Sequence, residues 1–234
     1  MNIDIVGRGR AGGSFARALR RAGHDVAVVG RDDRPRSRTA LILMATPDDT
    51  IAAVAAALAP SPAVVAHVSG ATGLDALAPH DRVGSLHPLA VLPDAERGAE
   101  RLVGATYVVE GDDLLDDVAR SLSGMVVRIA PEQRALYHAT AVTASNHVVA
   151  LLAEIEALAS SLGLAASTFS PLIEQTLADV RSLGIARALT GPAARGDHRT
   201  IDAHRKALPS VHEATYSALS AVAARVAGGS MWNS

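Results

Sequence analysis

Two hydrophobic periods meet within the first twenty-one residues. Ile3, Ile5 and Val6 form a short β-branched run, which predicts a strand. Phe15, Ala18, Leu19 and Ala22 recur at helical spacing and predict a helix over 11–21. Between them Gly7, Gly9 and Gly12 fit G-x-G-x-x-G. Strand, glycine turn and helix in that order are what dinucleotide binding requires. Gly7 would turn the chain out of the strand, Gly9 would leave room for a pyrophosphate, and Gly12 would let the helix sit close. Free N–H groups at the helix start would hold the phosphates. The alternative is an ordinary strand-to-helix turn with no ligand.

The pattern continues with strands over 25–29, 40–46, 63–68 and 82–86, the last ending at His87-Pro88. The run Ala-Leu-Ile-Leu-Met-Ala-Thr at 40–46 is continuously apolar, as in a parallel strand buried on both faces. A helix is expected from Pro47 and Asp48 to about Ala59, a short one over Leu74 to Leu77, and another over Asp113 to Leu122 between strands at 106–109 and 125–129. The connection Gly30 to Thr39 is too short for a full crossover helix, so the second helix has one or two turns or is missing. Alternating strands and helices predict a parallel, doubly wound sheet. From about Pro131 the pattern is helical only: one long helix over Glu132 to Leu162, then helices near 171–183, 199–208 and 211–226. The reading is therefore an α/β Rossmann-like domain over 1–130 followed by an all-helical domain over 131–234.

Composition narrows the function classes. The chain is 49% hydrophobic but only 3% aromatic, so its core must be aliphatic. A net charge of −2 without a basic patch argues against nucleic-acid binding. There is no cysteine, which excludes disulfides and thiolate chemistry. No run of eighteen apolar residues predicts a membrane span, and the start lacks the basic and apolar regions of a signal peptide. A soluble cytoplasmic protein is expected. Nine histidines raise the question of metal, but none falls in a ligand spacing with a carboxylate, so no metal site is expected.

Candidate chemistry collects at predicted strand ends. Arg31 follows the second strand where an acid would select NAD, and Arg34, Arg36 and Arg38 add charge, so NADP is favoured; Asp32 leaves NAD open. Arg8, Arg10 and Ala11 lie within the glycine turn. Thr46 and Pro47 follow the third strand and Ser69 the fourth, where a cofactor would lie; Thr46 or Asp48 would alternatively cap the next helix. His87 ends the fifth strand, as a proton donor, a substrate ligand or a structural residue. On the long helix Arg134, His138 and Ser145 share one face with Asn146 on its flank. This polar stripe either lines a cleft or is satisfied within the core. Arg195 lies in a glycine- and proline-shaped loop, suited to a substrate carboxylate or a salt bridge.

Tyr137-His138-Ala139-Thr140-Ala141-Val142 with Ala144-Ser145-Asn146-His147, and Ala188-Leu189-Thr190-Gly191-Pro192 with Arg195-Gly196-Asp197, resemble the signature of a bacterial family of oxidoreductases. These join a Rossmann-like domain to a helical C-terminal domain of formerly unknown function. Ser69-Gly70-Ala71 and Ser85-Leu86-His87-Pro88 match the same pattern. The resemblance implies kinship with phosphogluconate-dehydrogenase-like and hydroxyacid-dehydrogenase-like enzymes, a homodimer, and ketopantoate as one substrate candidate. Such relatives commonly carry a lysine on the long helix where this chain has Arg134, and a guanidinium is a poor acid or base.

Together these readings predict an NADP-dependent oxidoreductase acting on a small oxo or hydroxy acid between the domains. Arg134, Asn146 and Arg195 would orient the substrate, and His138 or His87 would move the proton. The alternative is a nucleotide-binding or redox-sensing protein without catalysis.

Overall fold

A computed structural model of the 234-residue chain describes residues 1–30 and 33–228. Its first compact unit, Met1–His147, is built on a seven-stranded sheet in the order β2-β1-β3-β4-β5-β6-β7. The chain runs β1 (Asn2–Val6), α1 (Arg10–Arg21), β2 (Asp25–Val29), β3 (Leu41–Met44), α2 (Ile51–Ala57), β4 (Val64–His67), β5 (Val83–Pro88), α3 (Ala95–Leu102), β6 (Thr106–Gly111), α4 (Leu114–Ser121) and β7 (Met125–Arg128). Short 3₁₀ turns open α2 at Asp48–Thr50 and link β4 to β5 at Leu74–Leu77. Between β2 and β3 the described residues hold no helix.

Alternation along the strands gives the sheet two apolar faces. On one, Ile3, Ile5, Leu41, Leu43 and Val64 pack with Phe15 and Leu19 of α1, Leu102 of α3 and Val118 of α4. On the other, Val6, Ile42, Met44 and Val65 pack with Ile51 and Ala55 of α2. Each face is covered because each face of these strands is apolar, which makes the sheet doubly wound.

The sheet is not wholly parallel, contrary to the sequence reading: β6 pairs antiparallel to β5, from Gly84↔Gly111 to Pro88↔Tyr107. The reason lies in α3, which the sequence pattern did not reveal. Asp94 caps it, its carboxylate accepting from the N–H groups of Glu96 and Arg97 at 3.0 and 2.8 Å. Eight residues of helix span only about 12 Å. They lie against α1, where a Cβ on Gly98 would stand 2.0 Å from Ser14 Oγ. The chain therefore re-enters the sheet at the edge it left, with the N–H of Leu89 donating to the carbonyl of Thr106 at 2.8 Å.

Strands end at Arg128, and a 3₁₀ turn at Pro131–Gln133 leads into α5 (Arg134–Val142). The expected single long helix is not uniform. Thr143–His147 is wound as a π-helix before α6 (Val148–Ser161). π-Turns inside helices are rare and concentrate at functional sites. The second unit, Val148–Ser234, contains α6, α7 (Ser170–Leu183), α8 (Ile185–Ala188), α9 (Pro192–Arg195), α10 (His198–Ala207) and α11 (Ser210–Ala227). Asp197 caps α10 through the N–H of Thr200 at 3.0 Å.

The β2–β3 link is held from below. Asp4 on β1 is fully buried. Its carboxylate accepts from the backbone N–H and the guanidinium of Arg36, both at 2.6 Å, and from the Thr39 hydroxyl at 2.5 Å. Arg36 also reaches Asp25 at the start of β2, at 2.9 Å. It therefore lies at the amino edge of the sheet and does not add charge to the cofactor edge, as its place in the sequence had suggested. Removing one partner of a buried pair leaves the other charge uncompensated, so Arg36→Ala should cost about 3 kcal/mol. Urea denaturation should show the loss as a lowered midpoint with an unchanged slope.

Candidate active site

The glycine turn lies at the carboxyl edge of the parallel strands. Gly7 has φ +121°, and a Cβ there would stand 2.5 Å from the carbonyl oxygen of Ala45. A Cβ on Gly12 would stand 2.0 Å from the carbonyl of Gly7. Both positions are closed to any larger residue by the backbone itself. Gly9 differs, since a Cβ there meets nothing within 4 Å. Gly9 is the N-cap of α1, no side chain caps the helix, and its first turn has no acid. The first N–H groups of α1 thus face open space, with exposed Arg8 and Arg10 beside them and Ala11 in the first turn. This cradle fits a diphosphate on charge and room.

Among the described residues, Asp33 supplies a carboxylate after the end of β2. Asp33 accepts from Arg8 at 3.1 Å and from the N–H of Gly30 at 2.9 Å. Sequence reasoning missed it because it follows the strand by four residues. Arg31 and Asp32 lie outside the described residues. After β3, neither Thr46 nor Asp48 caps the next helix. Pro47 precedes the 3₁₀ turn, and its carbonyl accepts from the Thr50 hydroxyl at 2.7 Å. Thr46 Oγ1 is buried without a hydrogen-bond partner.

A polar row crosses the next three strands. His67 of β4 pairs in register with Ser85 of β5, and Ser85 with Glu110 of β6. Directly paired residues share a face, and His87 shares it two residues further on. From α5, Arg134 donates to Ser85 Oγ at 2.8 Å and forms an ion pair with Glu110. Their side chains are 8% and 14% exposed, so the pair is nearly desolvated. One turn along α5, Tyr137 and His138 lie on the same side as Arg134. The Tyr137 hydroxyl is hydrogen-bonded to His87 Nδ1, with the rings edge to face at 5.6 Å. His138 stands edge-on to His87 at 6.3 Å.

Gly70 makes this convergence fit, since a Cβ there would stand 2.9 Å from both His138 Cδ2 and His87 Cε1. Ser69 shapes the loop by accepting from the N–H groups of Ala71 and Thr72 at 3.1 and 3.0 Å.

The row is electrostatically poised. Burial, then the Arg134 charge, pushes His67 down to about 4. Burial, then His138 and Arg134, pushes His87 down to about 4 as well. Both rings are neutral at pH 7. Burial pushes Tyr137 up to about 12, partly opposed by Arg134.

Of the residues expected to do chemistry, His87, His138 and Arg134 come together. Asn146 lies in the π-turn, exposed, its Oδ1 3.0 Å from the Ser145 hydroxyl. Arg195 is exposed at the end of α9 in the second unit. Tyr137, His67, Ser85 and Glu110 were not given roles from sequence. The available signal was chemical: an arginine on a helix otherwise rich in Ala, Val and Leu calls for a carboxylate partner.

Fold and site together define an α/β protein with a Rossmann-like nucleotide cradle and a histidine–tyrosine cluster. Residues 105–223 match a family described as "Domain of unknown function (DUF2520)", over just more than half of the chain. The chain belongs to that family. No curated protein sequence matches it. The fold is similar to a provisionally named NADP oxidoreductase from Bacteroides fragilis, at 20% identity over 96% of this chain and 98% of that one, with a TM-score of 0.79. A protein from Thermotoga maritima is 22% identical over 97% and 98%, with a TM-score of 0.77. An imine reductase from Streptomyces aurantiacus is 15% identical over 98% and 95%, with a TM-score of 0.68.

Two outcomes follow from the buried row. Glu110→Ala should destabilise the protein by about 3–5 kcal/mol by stranding Arg134, and adding Arg134→Met should recover much of that loss. Chemical denaturation of the single and double variants measures it. The depressed histidines set the acid side. Above the unfolded value of 6.5 both states are neutral and stability is complete; as pH falls from 6.5 towards 4 only the unfolded chain gains protons, so stability is lost across that window. Melting curves from pH 7 to 4 should fall, and more shallowly in His67→Gln than in the wild type.

Proposed function

We propose that the protein is an NADP-dependent oxidoreductase that reduces or forms a small 2-oxo or 2-hydroxy acid. The observation that carries this reading is a single sheet edge with two features. One is an uncapped glycine cradle; the other is a histidine–tyrosine cluster over the neighbouring strands. The cradle residues Gly7, Arg8, Gly9, Arg10, Ala11 and Gly12 would hold the diphosphate. Thr46, Pro47 and Ser69 would border the rest of the dinucleotide, and Arg31 would meet the extra phosphate of NADP.

The bound dinucleotide would supply a hydride. His87 and His138 would supply the proton, because the Arg134 guanidinium is committed to Glu110 and Ser85. Asn146 would orient the substrate. Support comes from the fold: the Bacteroides protein carries an NADP oxidoreductase name, and a pyrroline carboxylate reductase from Plasmodium falciparum with the same fold has NADP bound. The finer assignment, to hydroxyacid- or phosphogluconate-dehydrogenase-like enzymes with a ketopantoate-type substrate, rests on the resemblance of the C-terminal motifs.

The functional form in this reading is a homodimer through the second unit. Among its described residues only Ala159 and Val226 are buried apolar side chains, while Val149, Leu152, Leu172, Leu177, Val211 and Leu219 are exposed. So much exposed aliphatic surface marks an interaction face, and a second copy offers the matching one. Sedimentation should give a dimer, and Leu152→Asp should shift it towards monomer.

The direct test uses Gly9→Val, whose Cβ would meet nothing within 4 Å in the free protein. NADPH at 100 times its dissociation constant should stabilise the wild type by about 2.7 kcal/mol. The variant should lose the NADPH shift, measured against its own melting temperature without ligand. Turnover of NADPH on a panel of 2-oxo acids should appear in the wild type. Tight NADPH binding without turnover would favour the sensing alternative, and no binding would end the reading.

A further inference from the structure

Histidine chemistry depends on which ring nitrogen carries the proton, and the partner of the other nitrogen decides it. His87 Nδ1 is engaged by the Tyr137 hydroxyl. A phenol O–H is a stronger donor than an imidazole N–H, and an imidazole nitrogen is a stronger acceptor than a phenol oxygen. In a neutral pair the proton therefore stays on the phenol oxygen and is donated to a bare Nδ1.

The surroundings keep the pair neutral. Burial opposes a positive charge on His87 most, and His138 and then Arg134, facing it from α5, oppose it further. Asp48, in the turn before α2, partly offsets them, and His67 on β4 adds a weaker opposition. Gly70 packs against the ring on the Nδ1 and Cε1 side, with 3.0 Å left between a hypothetical Cβ and Nδ1. The loop side of Nδ1 is thus closed, and the edge-to-face contact with Tyr137 fixes the ring plane.

We propose that Tyr137 is the positioning residue of the site: its hydroxyl donates to His87 Nδ1, confines the ring proton to Nε2, and makes Nε2–H the proton-delivering group. The proposal rests on the oxidoreductase reading for what that proton is used for. When a carbonyl carbon gains a hydride from the reduced dinucleotide, its oxygen becomes basic. The His87 Nε2–H bond breaks and an O–H bond forms on the substrate. The Tyr137 O–H bond breaks as its proton moves to Nδ1, so the imidazole stays neutral. The phenolate left on Tyr137 is eased by the nearby Arg134 charge and regains a proton from solvent. The sum is one hydride and one proton added to the carbonyl. The transfer runs downhill because an alkoxide is a stronger base than a phenolate. The same path reversed serves oxidation.

The test needs no known substrate. In the full-length protein labelled with ¹⁵N, the His87 ring signals are identified by their loss in His87→Gln. The expected wild-type spectrum has an unprotonated Nδ1 and a protonated Nε2, at pH 7. Tyr137→Phe keeps the ring and its packing but should release the tautomer to a mixture. A proton on Nδ1 in the wild type, or an unchanged tautomer in Tyr137→Phe, overturns the proposal. If Tyr137→Phe does not fold, the wild-type spectrum alone still decides it.

NADPH titration of the same samples separates the two readings. Equal binding by wild type and Tyr137→Phe is expected. No binding by either removes the reductase reading, and the proton-delivery role with it, while the hydrogen-bond assignment is still judged by the spectra. On any 2-oxo acid turned over, Tyr137→Phe should lower kcat about 100-fold with KM nearly unchanged; a loss confined to KM contradicts the role.

Discussion

The site depends on one buried ion pair. Arg134 on α5 reaches across to Glu110 on β6 and Ser85 on β5. That contact sets the rotation of α5 over the second face of the sheet, and rotation decides where Tyr137 and His138 point. A buried pair of this kind adds little net stability but is costly to break. It therefore acts on geometry more than on folding energy. The antiparallel turn of β6 is part of the same constraint, since it is what brings Glu110 into register with Ser85.

Burial keeps His67 and His87 neutral rings, and the guanidinium held beside them further discourages a positive charge. Neutral imidazoles can accept on one nitrogen and donate from the other, which a doubly protonated ring cannot do. In the proposed function, an arginine where the family resembled in sequence commonly carries a lysine would leave proton supply to the histidines and the phenol.

Much of the fold was legible because the strands are continuous or alternating apolar runs. Leu41–Met44 is buried at every position, as its composition predicts. The glycine turn was legible because Gly7 and Gly12 each answer a specific steric demand. Strand direction was not, since the pattern of β6 reads the same both ways and depends on where the short α3 packs. The π-turn at Thr143–His147 was hidden because its residues differ little in helix propensity from those around it. Site residues were half legible: His87 and His138 stand out as polar groups at a strand end and on a helix face. Their organisers did not, because Glu110 lies 24 residues from Arg134 and Tyr137 lies 50 from His87. Long-range pairing of that kind leaves no local trace.

In the proposed function one sheet edge holds a dinucleotide and presents its nicotinamide to the His87–Tyr137–His138 cluster. A crystal structure of the protein with NADPH is the decisive experiment. Diphosphate density is expected against Gly9 and the first turn of α1, with the nicotinamide ring in contact with His87 or His138. Diphosphate density elsewhere, or a nicotinamide pointing away from that cluster, would contradict it.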